Sequence, residues 1–202
     1  MRNSFSILTV CTGNICRSPL AEQLLVAHLQ GIPEITISSA GTRALVGEPM
    51  LATTQEIAHS YGVETTEAHR ARQVNETLLE SSDLILAMTR DQRRAVVELS
   101  PRVTRRVFTI REFARLAEVT TDDVLASEID RTGESAVERL RAAVKAVTLS
   151  RNILPLVADR AEEDVIDPYQ REKKVHEASA QQLTPAVDAV AALLKRSVEG
   201  VA

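Results

Sequence analysis

The stretch of sequence that decides the fold is residues 5–19, which read FSILTVCTGNICRSP. Its first six residues are mostly large, apolar or β-branched, which is typical of a strand buried inside a sheet. Ser18 is predicted to cap a helix that has Pro19 at its first position. The chain therefore turns from strand to helix through residues 11–18, where successive backbone N–H groups can converge on one anion, phosphate above all.

Two side chains of this loop suit phosphoryl transfer. Cys11 stands at its start, where loop dipoles, the helix N-terminus and Arg17 favour the thiolate, the nucleophilic form of cysteine. Arg17 offers a planar fork that binds two phosphoryl oxygens at once, which a lysine cannot do. Gly13 permits a close approach of the backbone or a positive φ.

The spacing Cys-x5-Arg-Ser is that of the protein tyrosine phosphatases, and residues 11–19 resemble the low-molecular-weight protein tyrosine phosphatase family. Four further segments look like later motifs of that family, in the family's order. They are residues 37–42, 68–73, 83–88 and 167–169, which read ISSAGT, AHRARQ, DLILAM and DPY.

The resemblance implies a phosphatase that hydrolyses phosphotyrosine through a phosphocysteine, with Cys11 as nucleophile and Asp167 as general acid. Pro168 restricts Asp167 to extended backbone angles and so can aim its carboxyl group. The phosphate-binding residues implied are Thr12, Gly13, Asn14, Ile15, Cys16, Arg17 and Ser18. The supporting network implied is Asn14, Ser18, Ser39 and His69. No cofactor and no metal site is predicted.

The chain departs from the family pattern at two places, the connection before the acid loop and the walls of the substrate cleft. The connection before the acid loop, about residues 114–164, is far longer than is usual in the family. The spacing within residues 135–151 predicts an extra amphipathic helix there. This helix is a lid, a dimer surface, a partner-binding arm or a helix packed on the body. No aromatic residue follows the ISSAGT turn, so Leu45 and Tyr169 are the predicted walls of the substrate cleft. The acidic residues 162–164 are expected to form a solvated turn.

Cys16 is predicted not to be a nucleophile. Its closeness to Cys11 suggests a reversible disulfide that protects the catalytic sulfur from over-oxidation.

The order of elements predicts an α/β fold with an open four-stranded parallel sheet, helices on both faces and the phosphate loop after the first strand. Residues 1–202 are expected to form a single phosphatase domain with a helical insertion before the acid loop. A net charge of −4 argues against nucleic-acid binding, and no apolar stretch is long enough to span a membrane. Two cysteines five residues apart fit a reduced, cytoplasmic protein. The resemblance implies a phosphotyrosine protein as substrate, with a bacterial tyrosine kinase as one candidate partner.

Three other functions are open at this stage. An arsenate reductase of the same fold is one, although the thioredoxin-coupled kind needs a third cysteine and this chain has two. A non-catalytic module that binds phosphorylated or anionic partners is the second. A nucleotide-binding protein is the weakest, because the loop has neither the Gly-x-Gly-x-x-Gly spacing nor the Gly-Lys-Ser/Thr ending of a nucleotide-binding loop.

Overall fold

A computed structural model describes residues 3–64, 67–133, 135–153, 157 and 159–199. Four strands, β1 (Phe5–Cys11), β2 (Ile35–Gly41), β3 (Leu84–Ala87) and β4 (Val107–Thr109), form one sheet. Their order is β2-β1-β3-β4 and all pairs are parallel. The predicted fold class is confirmed.

Eight α-helices are found in the described residues. They are α1 (Arg17–Leu29), α2 (Ala52–Ser60), α3 (Glu76–Ser81), α4 (Arg90–Leu99), α5 (Ile110–Val119), α6 (Asp122–Thr132), α7 (Ala136–Ser150) and α8 (Lys173–Glu199). Successive residues of β1 serve opposite faces of the sheet: Phe5 and Ile7 pack into the core with α1, α2 and α5 to α8, whereas Leu8 and Val10 pack with α3 and α4. Helices therefore cover both faces.

Two boundaries predicted from the sequence are wrong. Helix α1 begins at Arg17, so Ser18 lies inside the first turn and its hydroxyl is free for the loop. The sequence of residues 106–110 predicts the fourth strand, but Ile110 instead begins α5, because Thr109 and Glu112 form a capping box that starts a helix there. In the last helix, Thr184-Pro185 predicts a restart or a kink, and α8 continues through Pro185 without a restart.

The described part of the insertion is a helical pair packed on the body. Helix α7 lies within the predicted residues 135–151, is capped by Ser135, and packs against α5, α6 and α8. Arg141 Nε lies 3.0 Å from Asp83 Oδ1, beside the start of β3. Arg151 ends the helix with its guanidinium 3.9 Å from the ring centroid of Phe108. The insertion thus extends the helical layer over one sheet face.

None of the helices in the described ranges is long and apolar enough to cross a membrane.

Candidate active site

The loop between β1 and α1 places Cys11 at the bottom of a pocket, with only 2% of the residue exposed. The backbone N–H of Asn14 points to Cys11 Sγ at 3.2 Å, and Ser18 Oγ lies 3.0 Å from the same sulfur. Asn14 Nδ2 donates to Ser18 Oγ at 3.0 Å, so the hydroxyl hydrogen of Ser18 is left to two acceptors, the sulfur at 3.0 Å and the Ala40 carbonyl at 3.4 Å. Both donors stabilise a negative charge on Cys11.

Asn14 holds the loop in its unusual shape. Its φ is 57°, so the positive φ that Gly13 would have permitted falls on Asn14 instead. Asparagine tolerates this conformation better than most residues, and its side chain is tied on both sides. Nδ2 donates to Ser39 Oγ at 2.8 Å, and Oδ1 accepts from the backbone N–H of Arg72 at 2.9 Å. His69 Nε2–H donates to the Asn14 carbonyl at 2.7 Å. The loop is therefore fixed before any ligand arrives.

The side chain of Arg17 is buried at the pocket wall. Its two terminal nitrogens bind the acid loop, and its Nε–H has no partner in the described part of the protein. One terminal nitrogen donates to the Val165 carbonyl at 3.0 Å, and the other lies 2.7 Å from Asp167 Oδ2. Among the described protein groups none accepts from the buried Nε of Arg17. A buried guanidinium N–H without a protein acceptor at a pocket wall is suited to an anionic ligand.

The acid loop carries Asp167, which lines the same pocket as Cys11. About half of its side chain, 55%, is exposed. Oδ1 accepts from the backbone N–H of Tyr169 at 3.2 Å, an Asx turn that orients the carboxyl group. The backbone N–H of Val165 donates to the Met88 carbonyl at 2.8 Å, which fastens the loop to the end of β3.

The residues before the acid loop do not form the solvated turn expected from their charge. Glu163 accepts from Arg115 at 3.1 Å and is largely buried, and Asp164 Oδ1 accepts from the backbone N–H of Arg90 at 2.8 Å. Arg111 donates to the Asp164 carbonyl at 2.9 Å. Of the three acidic residues, only Glu162 is exposed to solvent. We call Glu163, Asp164, Arg90, Arg111 and Arg115 the acid-loop clamp, because they hold the segment that leads to Asp167.

The pocket itself has a volume of about 120 Å³. Its polar floor and its partly apolar walls are formed by Cys11, Thr12, Gly13, Ile15, Cys16, Arg17, Arg43, Leu45, Asp167 and Tyr169. Leu45 reaches the rim because residues 42–45 run beside the loop, with Leu45 N–H donating to the Gly13 carbonyl at 3.0 Å. A Cβ on Gly41 would lie 2.5 Å from the Thr12 carbonyl oxygen, so only glycine allows this approach.

Cys16 lines the pocket but is itself buried. Burial, and then the nearby Cys11, raise the pKa of the Cys16 thiol to about 12, although a hydrogen bond with Thr54 opposes the rise. The Cys16 thiol is therefore protonated at neutral pH.

The structure brings the predicted site residues together in two shells. Most of the predicted phosphate-binding residues line the pocket. Asn14 and Ser18 instead lie fully buried, where Asn14 binds the buried Ser39 and the half-buried His69. Sequence reasoning missed Arg72, whose Nε donates to the Ser39 carbonyl, although it lies in the quoted segment 68–73. It also missed Gln92, which donates to Thr12 Oγ1 at 3.0 Å and had no local signal.

Known proteins that are similar to this chain in sequence are named as low molecular weight tyrosine phosphatases. The family model described as low molecular weight phosphotyrosine protein phosphatase matches residues 6–148. A probable low molecular weight protein-tyrosine-phosphatase, EpsP, from Ralstonia solanacearum is 37% identical over 145 residues, which are 68% of this chain and 97% of that protein. Etp from Escherichia coli, named in the same way, is 42% identical over 98 residues, 48% of this chain and 64% of its own length.

Solved structures agree with the fold. The tyrosine phosphatase AmsI of Erwinia amylovora superposes with a TM-score of 0.65 at 26% identity, covering 97% of this chain and 95% of that one. An arginine phosphatase, YwlE of Geobacillus stearothermophilus, has the same TM-score at 25% identity and covers 95% of this chain and 93% of its own.

Proposed function

The chain belongs to the low-molecular-weight protein-tyrosine-phosphatase family, as its sequence motifs predicted, and from this premise we propose that it hydrolyses phosphotyrosine in proteins through a phosphocysteine on Cys11. One observation carries the proposal: Cys11, Arg17 and Asp167 meet at a single small pocket whose loop is already fixed. We propose that the whole chain acts as one phosphatase domain with a helical insertion, and that it works in the cytoplasm.

The proposed reaction follows from where the charges lie. The Cys11 thiolate attacks phosphorus, while the loop N–H groups and Arg17 stabilise charge on the equatorial oxygens. Protonated Asp167 donates its proton to the leaving phenolate oxygen. The resulting carboxylate then takes a proton from water, which attacks phosphorus, frees the Cys11 thiolate and releases inorganic phosphate.

The depth and the walls of the pocket favour an aryl phosphate. Cys11 is almost completely buried, whereas the rim residues Leu45 and Tyr169 are 39% and 43% exposed. A phosphoryl group must therefore be carried down to the sulfur on a long side chain. Ile15, Leu45 and Tyr169 offer apolar contact to a ring on that path. A phosphotyrosine protein is the proposed substrate, and a bacterial tyrosine kinase is one candidate.

Parallel assays test this assignment. The same protein preparation is assayed with five compounds: p-nitrophenyl phosphate, a phosphotyrosine peptide, a phosphoserine peptide, phosphoarginine and arsenate. We expect turnover of the first two with a pre-steady-state burst of nitrophenol. Preferred turnover of phosphoarginine, or arsenate reduction supported by an external thiol, would replace the proposed substrate. Phosphate binding without a burst would identify a non-catalytic binding module.

We also propose that Cys16 protects Cys11. Peroxide oxidises the Cys11 thiolate to a sulfenic acid. The Cys16 sulfur then attacks the Cys11 sulfur and forms a disulfide, and the displaced hydroxide leaves as water with the proton of the Cys16 thiol. The part of the raised pKa of Cys16 that comes from the charge on Cys11 disappears once Cys11 is a neutral sulfenic acid.

Replacing Cys16 by serine is therefore expected to abolish recovery from oxidation. Without a resolving thiol, Cys11 proceeds to the sulfinic acid, which common thiol reductants do not reverse. Activity is measured after peroxide treatment and again after dithiothreitol, with untreated Cys16→Ser protein as the control for intrinsic activity. Equal recovery of the variant and the wild type would refute the protective role.

The acid-loop clamp gives a separate prediction for Glu163→Gln. This change keeps the side-chain shape but removes the charge that pairs with Arg115, a loss of a charge-assisted hydrogen bond worth about 1.5–3 kcal/mol. Only part of this reaches Asp167, so we expect kcat for phosphotyrosine to fall by roughly tenfold, equivalent to about 1.4 kcal/mol. kcat for p-nitrophenyl phosphate, which leaves easily, should fall less.

Glu162→Gln is the matched control, because Glu162 is the neighbouring residue and lies in solvent. It should keep wild-type kinetics with both substrates. If Glu163→Gln slowed both substrates equally, the clamp would have a general stabilising role and no specific part in placing the acid.

A further inference from the structure

The catalytic pocket opens on one side into a second depression, which we call the α2 groove. Its volume is about 530 Å³, and its walls are Ile15, Leu45, Glu48, Pro49, Met50, Leu51, Ala52, Gln55 and Tyr169. Ile15, Leu45 and Tyr169 line the catalytic pocket as well. The two depressions therefore form one continuous surface.

The α2 groove is built from fixed, mainly apolar parts. The backbone N–H of Leu51 donates to the Ile15 carbonyl at 3.0 Å, which ties the groove to the phosphate loop. Gln55 Nε2 donates to the Met50 carbonyl at 2.8 Å, so its amide is used in holding the wall. Glu48 is the single charged residue among those that line the groove. A preformed apolar groove gains most from an apolar ligand group.

The part of the catalytic pocket formed by Thr12, Arg17, Arg43 and Asp167 adjoins a depression of a different character. A cleft of about 580 Å³ there includes Thr42, Arg43, Asp91, Gln92 and Asp164 among its lining residues. Both charge signs are present, so this side suits polar or charged groups. A peptide crossing the catalytic pocket would meet an apolar groove on one side and a polar cleft on the other.

Resting on the proposed function, we propose that the α2 groove selects phosphotyrosine sites that carry a large aliphatic side chain within about three residues of the phosphotyrosine. Three residues of extended chain span roughly 10 Å, enough to leave the pocket and enter the adjoining groove. Glu48 disfavours an acidic residue at that position by charge repulsion. The partner is thus a protein segment of defined chemistry, phosphotyrosine with a nearby leucine, isoleucine or methionine.

Synthetic phosphotyrosine peptides test the preference. Leucine, serine or aspartate is placed in turn at each of the three positions on either side of phosphotyrosine, in an otherwise constant sequence. At one or more positions on one side, kcat/KM should be about tenfold higher for leucine than for serine, with aspartate lowest. Equal values for all three residues at every position would overturn the proposal.

Ala52→Glu tests the location. Ala52 is the exposed first residue of α2, where the helix dipole favours a carboxylate, so the fold should tolerate the change. The new charge stands in the groove, and the leucine preference should fall about tenfold, to near unity. Thr53→Glu is the matched control, because Thr53 follows in the same turn without lining the groove, and it should keep the preference.

Two outcomes separate this proposal from the one on which it rests. If the wild type hydrolysed neither the phosphotyrosine peptides nor p-nitrophenyl phosphate, the phosphatase function itself would be refuted. The other outcome is that the wild type hydrolyses the peptides but Ala52→Glu lowers kcat/KM for the leucine and serine peptides by the same factor. The phosphatase function then stands, and the α2 groove does not select the neighbouring side chain.

Discussion

Cys11→Ser is expected to abolish turnover, with kcat lowered by on the order of 10⁶-fold, as when other enzymes lose a nucleophile. A serine hydroxyl at this position would receive the same N–H from Asn14 and the same contact with Ser18. These donors are enough to hold a thiolate but cannot generate an alkoxide, because a hydroxyl ionises far less readily than a thiol. The burst and the steady-state rate with p-nitrophenyl phosphate measure the loss.

Binding of inorganic phosphate provides the control for Cys11→Ser. Arg17 Nε and the loop N–H groups do not depend on the sulfur, so the variant should still bind phosphate and be stabilised by it against heat. A variant that binds phosphate without turnover has lost only the nucleophile. Turnover within about tenfold of the wild type would show that another group attacks phosphorus.

The fold and the centre of the site were predictable because their signals are local. Residues 5–19 contain the strand, the loop and the helix start within one short stretch, and the distance between Cys11 and Arg17 is set by the loop alone. Even here, the local sequence did not determine which of the neighbours Gly13 and Asn14 adopts a positive φ. Gly13 was the natural candidate for positive φ, but Asn14 adopts it because Ser39, His69 and Arg72 bind its polar groups from distant segments.

The acid-loop clamp shows what local sequence reasoning cannot supply. Residues 162–164 have the composition of a solvated turn, and their partners stand 48 or more positions away in the chain, at Arg90, Arg111 and Arg115. No spacing rule connects such residues. The start of α5 is a different case, since the Thr109 and Glu112 capping box was legible in the sequence as a helix signal.

Asp167→Asn is expected to lower kcat for phosphotyrosine by roughly 10²–10⁴-fold, the usual contribution of a general acid. The amide cannot donate a proton to a leaving phenolate, whose conjugate acid has a pKa of about 10. p-Nitrophenolate leaves without much protonation, so its rate should fall far less. A series of aryl phosphates of graded leaving-group acidity measures this as a steeper dependence of kcat on the leaving group.

Asp167 also holds Arg17 at 2.7 Å, and comparison with Asp167→Ala separates the two roles. The Asp167→Asn side chain keeps an oxygen that can accept from Arg17 and from the N–H of Tyr169, whereas alanine keeps neither contact. If proton donation is what matters, both variants lose kcat for phosphotyrosine to a similar extent. If the Asp167→Asn variant retained wild-type kcat while the alanine variant did not, the carboxylate would act by placing Arg17, and the proton would have to come from another donor.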